Sequence, residues 1–95
     1  MVRNVVVGRL RAGVELSALE PGLTAIAALD PPGLVSLALG VDARLREELW
    51  DFAITSDFAD EDAYRAYDAD PEHGRVRREL FAPFCEQIAR VQLVL

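Results

Sequence analysis

The run Val2-Arg3-Asn4-Val5-Val6-Val7-Gly8-Arg9-Leu10 constrains the fold more than any other part of the chain. It is rich in β-branched residues, and neither set of alternating positions is uniformly polar. A segment of this kind reads as a strand covered on both faces, at the centre of a sheet. The remaining elements must therefore supply a strand on either side of it and a layer over it.

Arg11-Ala12-Gly13 ends this strand. Leu16, Leu19, Leu23, Ile26 and Ala27 then recur at helical spacing as far as Leu29. Ser17 and Glu20 have the form of a capping box, while Pro21 and Gly22 move the expected start of regular helix to about Pro21. Asp30-Pro31-Pro32-Gly33 stops the helix. Leu34 to Val41 reads as a second strand, with Val35, Leu37 and Leu39 on one face and Ser36, Ala38 and Gly40 on the other. Residues 42 to 48 are charged and read as a solvated loop. Leu49 to Phe58 alternates, placing Trp50, Phe52, Ile54 and Phe58 on a helix-packing face and Asp51, Ala53, Thr55 and Asp57 on the opposite one.

Asp60-Glu61-Asp62 supplies a cap and first-turn acids for a helix to about Tyr67. In Tyr67-Asp68-Ala69-Asp70-Pro71-Glu72-His73, Asp70 is a strong N-cap residue and Pro71 fits the first helical position, so a new helix is expected from here to Phe81. Pro83 prevents its continuation. His73, Val76 or Arg77, Leu80 and Phe84 fall near one stripe, and Ala89 to Leu95, apolar around Gln92, reads as a terminal strand.

The order is β-α-β-β-α-β, with the second helical region broken at Asp70-Pro71. That is the α+β, ferredoxin-like arrangement: one four-stranded antiparallel sheet with helices on one face, as a single domain over residues 1–95. Asn4, Ser36, Ala38, Ala53, Thr55 and Val94, assigned to the other face, do not form a surface meant for water. A chain of 95 residues that is 52% hydrophobic has more apolar surface than one small core needs. A second sheet, from another subunit, is therefore expected to cover that face.

Several function classes are excluded. The net charge is −6 and all 10 basic residues are Arg, without a basic stripe, which argues against nucleic acid and anionic membranes as partners. The Arg-only, Ala- and Val-rich usage is that of a GC-rich bacterial genome and carries no functional weight. No apolar run approaches the ~18 residues of a membrane span, and no signal-type segment opens the chain. The lone Cys85 reads as a buried small hydrophobe and fits a reducing compartment, so a cytoplasmic protein is expected. The acids at Asp57, Asp60, Glu61 and Asp62 lack the spacing of a calcium loop, and one His with one Cys makes no zinc site. No metal or cofactor is expected.

His73, the only histidine, lies near the positive end of its helix, which favours a neutral ring able to accept or relay a proton near pH 7. Asp51, an acid within an apolar strand, requires a partner, and Arg3 or Arg9 is the expected one.

The opening strand, Trp50-Asp51-Phe52-Ala53-Ile54 with Asp57-Phe58, and above all the Tyr, Pro and His spacing of Tyr67 to His73 followed by Val76 and Leu80, resemble the stress-responsive α/β-barrel, or Dabb, family. The resemblance covers nearly the whole chain and implies ferredoxin-like protomers that dimerise sheet to sheet into a dimeric α/β barrel. Plant polyketide cyclases of that family use a Tyr and a His at the spacing of Tyr67 and His73. By this likeness Tyr67 would polarise a phenolic or carbonyl oxygen, and His73 would remove a proton. The chain departs from that pattern at Asn4, where the cyclase has a histidine, and at Gln92-Leu93, where members often have Asp-Tyr or Asp-Phe.

Three functions follow as expectations. The first is a dimer binding a small apolar or aromatic molecule in the barrel, lined by Asn4, Asp51, Ala53 and Thr55. The second is a cofactor-free cyclase, lyase or monooxygenase using His73 and Tyr67, and the third is a non-catalytic stress or structural protein.

Overall fold

The computed structural model describes residues 1–47 and 50–95. Four strands, β1 (Val2–Leu10), β2 (Leu34–Val41), β3 (Phe52–Phe58) and β4 (Cys85–Val94), form one antiparallel sheet in the order β2-β3-β1-β4. The β-branched opening run is indeed internal to the sheet. Helices α1 (Glu20–Ala27), α2 (Glu61–Ala69) and α3 (Pro71–Val76) cover one face, giving an α+β, ferredoxin-like architecture.

Alternation along the strands sorts side chains between a helix-covered face and an open one. Opposed pairs Val2↔Phe58, Asn4↔Ser56, Val6↔Ile54 and Gly8↔Phe52 belong to the covered face, where Val2, Asn4, Ser56 and Phe58 are buried. Arg3↔Asp57, Val5↔Thr55 and Val7↔Ala53 belong to the open face. Asn4 and Val94 are thus on the helix side, not with Ala53 and Thr55, because β1 and β4 pair in register at Val2↔Val94 and Asn4↔Gln92. β1 is not closed over on both faces within one chain, since its open-face residues Val5 and Val7 are only half-buried.

Three local expectations are corrected. The Ser17–Glu20 capping box does not form, because a 3-10 turn over Leu16–Leu19 precedes α1, whose N-cap position is Leu19; Pro21 falls in the first turn as expected. A bulge between Leu34 and Ser36 turns Val35 out of line with Leu37 and Leu39, leaving it 59% exposed. β3 begins at Phe52, so Trp50 does not join Phe52 on the helix side. It lies under the guanidinium of Arg9, 4.7 Å from ring centroid to Cζ, and shares a shallow depression with Val7, Gly40 and Ala53. Leu49, the expected start of that strand, lies outside the described residues.

The core joins Leu10, Leu19, Leu23, Ile26, Phe52, Ile54, Val76, Phe81 and Cys85, which confirms Cys85 as a buried apolar residue. Beyond Val76 the helix widens into a π turn over Arg77–Phe81, closed by the Ala82 N–H donating to the Arg77 carbonyl at 2.9 Å. The wider turn brings Phe81 against Phe52, with ring centroids 5.5 Å apart. It also brings Phe81 onto α1 at Gly22, where a Cβ would sit 2.7 Å from the Phe81 ring. The helix layer therefore approaches the sheet closely at this end and leaves a gap further along, beside α2.

Candidate functional site

The gap is framed by the break between α2 and α3. Asp60 caps α2 by accepting from the Ala63 N–H at 2.8 Å, and Asp70 caps α3 by accepting from the His73 N–H at 2.9 Å. Asp70 has extended backbone angles (φ −63°, ψ 128°), so the chain turns there and folds α3 back toward Tyr67. The caps seen in the sequence thus bring residues 67 and 73 face to face.

The rings of Tyr67 and His73 stack, with centroids 3.9 Å apart and planes inclined by 23°. His73 Nδ1 lies 2.9 Å from the Tyr67 carbonyl oxygen. A carbonyl only accepts, so Nδ1 carries the proton, and Nε2 of the neutral ring is left with its lone pair. No described residue bonds to that nitrogen. Burial lowers the pKa of His73 below 6.5, against the opposing effect of the Tyr67 carbonyl. The neutral ring expected from the helix dipole is reached chiefly through desolvation. Burial also pushes the Tyr67 phenol up to about 12, so its hydroxyl remains a donor across the physiological range.

Both rings line a cavity of about 50 Å³ between the sheet and the helices. Val6, Ile26, Phe52, Ile54, Phe81 and Ile88 make its apolar wall, and Asn4 joins His73 and Tyr67 as its buried polar groups. Gln92 Nε2 donates to Asn4 Oδ1 at 2.9 Å, which orients the amide and leaves the Asn4 NH2 without a protein acceptor among the described residues. An apolar chamber thus holds one unprotonated acceptor, Nε2, and two donors. That combination suits an occupant with an ionisable or enolisable oxygen function.

The other expected lining residues are not here. Ala53 and Thr55 lie on the open face, and the Thr55 hydroxyl donates to the Ala38 carbonyl at 3.3 Å. Asp51 sits at the end of the sheet, where Oδ2 accepts the Leu10 N–H at 2.7 Å and Oδ1 accepts from Arg44 at 2.6 Å. Burial acts against its charge, but these two bonds hold the carboxyl below its usual range. Its close ion-pair partner is therefore Arg44 and not Arg3, while the charge of Arg9, the other expected partner, also favours the carboxylate. Arg3 instead grips Asp57 through both carboxylate oxygens at 2.7 and 2.9 Å, and Ser36 donates to the same group at 2.9 Å. The chamber beside His73 is accordingly inside the helix–sheet layer of the single chain, and not in a barrel between two sheets.

Sequence reasoning did not identify Tyr64, Asp68 and Arg90, which line the outer part of the chamber with Arg77, an alternative to Val76 on the His73 stripe. The available signal was Arg90, a charge in a terminal strand read as apolar. Among the described residues no group of acidic, His or Cys side chains is arranged to hold a metal ion, and no helix is long and apolar enough to cross a membrane.

A family model described as a stress responsive A/B barrel domain matches residues 2–94. Among solved structures, the chain is similar to a dimeric ferredoxin-like protein of unknown function from Thermobifida fusca, at 30% identity and TM-score 0.89, covering 99% of this chain and 90% of that one. It is similar also to a dimeric ferredoxin-like protein of unknown function from Bacteroides fragilis, at 25% identity and TM-score 0.87, covering 99% and 95%. A hydroxynitrile lyase from Passiflora edulis shares the fold at 19% identity and TM-score 0.82, covering 99% and 92%. No curated protein matches.

Proposed function

The chain belongs to the stress responsive A/B barrel domain family, and on that premise we propose that it is a homodimer whose protomers each bind a small apolar or aromatic molecule in the helix–sheet chamber, with an oxygen of the ligand at His73 and Tyr67. One observation carries this reading: the Nδ1 bond to the Tyr67 carbonyl leaves His73 Nε2 as an unengaged acceptor beside an apolar wall. Nε2 is open to solvent within the chamber, so a ligand hydroxyl can reach it and donate to it.

The same groups support a chemical step on a carbonyl ligand. Nε2 would take a proton from the carbon next to the carbonyl, and the charge developing on oxygen would be met by the Tyr67 hydroxyl and the Asn4 amide. This is proton abstraction of the cyclase or lyase type and calls for no cofactor. A second reading, in which the dimer itself is the functional product, draws on the chamber's size. About 50 Å³ holds only a few waters, well below the ~300 Å³ of an ordinary ligand pocket.

The dimer rests on the open sheet face. Val5, Val7, Ala38, Ala53, Ala89, Val91 and Leu93 make it apolar, with Val91 53% and Leu93 43% exposed. A second copy of the same face would cover these residues, and the relatives from Thermobifida fusca and Bacteroides fragilis are described as dimeric. The whole chain is read as one domain, placed in the cytoplasm.

The test is a titration of protein carrying 15N-labelled histidine with phenol and with 4-hydroxyacetophenone. Binding in the chamber shifts the His73 Nε2 resonance in the wild type and not in a Tyr67→Phe, Asn4→Leu double variant. An Nε2 signal unmoved by saturating ligand would sink the binding reading and leave the dimer as the product.

A further inference from the structure

The outer lining of the chamber carries two guanidinium groups, Arg77 and Arg90, against one carboxylate, Asp68. That carboxylate is already engaged, accepting from Arg77 Nη1 at 3.2 Å. Arg90 has no ion pair among the described residues. Strand register places it opposite Val6, between Ile88 and Gln92, on the helix-covered side of β4. Arg90 is exposed and lines the chamber together with Tyr64, Asp68 and Arg77, on a chain whose net charge is −6. Asp68, Arg77, Ile88 and Arg90 of the chamber also line an open groove of about 480 Å³, with Asp70 and Arg78 further along it. The Asp70 carboxylate in that groove is held by the His73 N–H.

Resting on the reading of the chamber as a small-molecule site, we propose that the ligand is a small aromatic monocarboxylate, its ring between the apolar wall and the Tyr67–His73 pair and its carboxylate in the groove on Arg90, beside Arg77. The guanidinium fork matches the two oxygens of a carboxylate, and Arg keeps its charge at every working pH. The charged end remains in the open groove, and the chamber must widen beyond its volume of about 50 Å³ to admit the ring. Asp68, tied to Arg77, keeps the second guanidinium in place without neutralising Arg90.

The experiment is calorimetric titration of the full chain with 4-hydroxybenzoate and with its neutral isostere 4-hydroxybenzamide, at low and high salt, in wild type and in Arg90→Gln. The carboxylate should bind the wild type about tenfold more tightly than the amide. This advantage should shrink with salt and vanish in Arg90→Gln, which should bind the amide as the wild type does. Equal affinities for the two compounds in wild type, or an advantage retained in Arg90→Gln, overturns the assignment while leaving the chamber reading intact. Failure of both compounds to bind overturns the two together. If Arg90→Gln self-associates with its carboxylate binding unchanged, Arg90 is a guard against pairing at the β4 edge, and the assignment is wrong.

Discussion

Tyr67 holds His73 twice: its ring stacks on the imidazole at 3.9 Å, and its own carbonyl takes the Nδ1 proton at 2.9 Å. One residue thus sets both the plane and the tautomer of the only histidine. The α2–α3 break at Asp70 makes this possible, because a continuous helix could not return residue 73 to the carbonyl of residue 67.

Burial lowers the His73 pKa below 6.5, so the folded chain binds this proton less readily than the unfolded chain does. Its contribution to stability is then present above the ordinary value and is lost as pH falls through the lowered one. Urea midpoints should decline on acidification from about pH 6.5 to about pH 5, where few other groups titrate. In His73→Gln this limb should flatten. A His73 midpoint above 6.5 by nitrogen NMR would contradict the prediction.

Gly8 lies under the ring of Phe52, and a Cβ at that position would collide with it. Phe52 cannot retreat freely, since it packs on Phe81 and walls the chamber. Gly8→Ala should destabilise the fold by about 1–3 kcal/mol through overpacking. Equilibrium urea denaturation measures this, and an unchanged midpoint would mean that the sheet and helix layer part more easily than their packing indicates.

Ala53→Asp places a charge in the middle of the open face, between Val7 and Gly40. If a second copy covers that face, the variant should dissociate, aggregate or fail to fold, as read by light scattering. A wild-type chain that is monomeric at micromolar concentration, or an Ala53→Asp variant with wild-type mass and stability, would count against the sheet-to-sheet dimer.

Arg3 and Ser36 hold the Asp57 carboxyl below its usual range, the arginine contributing most. A depressed carboxylate stabilises the fold above the unfolded value, near 3.8, and loses that contribution as pH falls through its folded value. Asp57→Asn should lower the urea midpoint at neutral pH and weaken the acid-side decline. A variant with the wild-type midpoint and the wild-type acid limb would show the ion pair to be energetically idle.

The elements themselves were legible in the sequence because their signals are local. The β-branched run at 2–10 marked an internal strand, Pro21 the start of α1, and Asp70-Pro71 the restart that faces His73 toward Tyr67. Local signals were weaker where a single residue shifts the frame: the bulge at Leu34/Ser36 displaced Val35, and the late start of β3 released Trp50.

Tertiary structure alone decided which side of the sheet each strand's residues occupy relative to its neighbours. Strand register is a long-range property, fixed by pairing Val2 with both Phe58 and Val94, and an error of one position exchanges the faces. That pairing moved Asn4 from the expected barrel to the chamber beside His73. It gave Asp57 rather than Asp51 to Arg3, and it brought Arg90 to the mouth of the site. The sequence by itself determined the elements, their order and the Tyr67–His73 turn; the chamber and its charge exist only once four strands, distant in sequence, have chosen their partners.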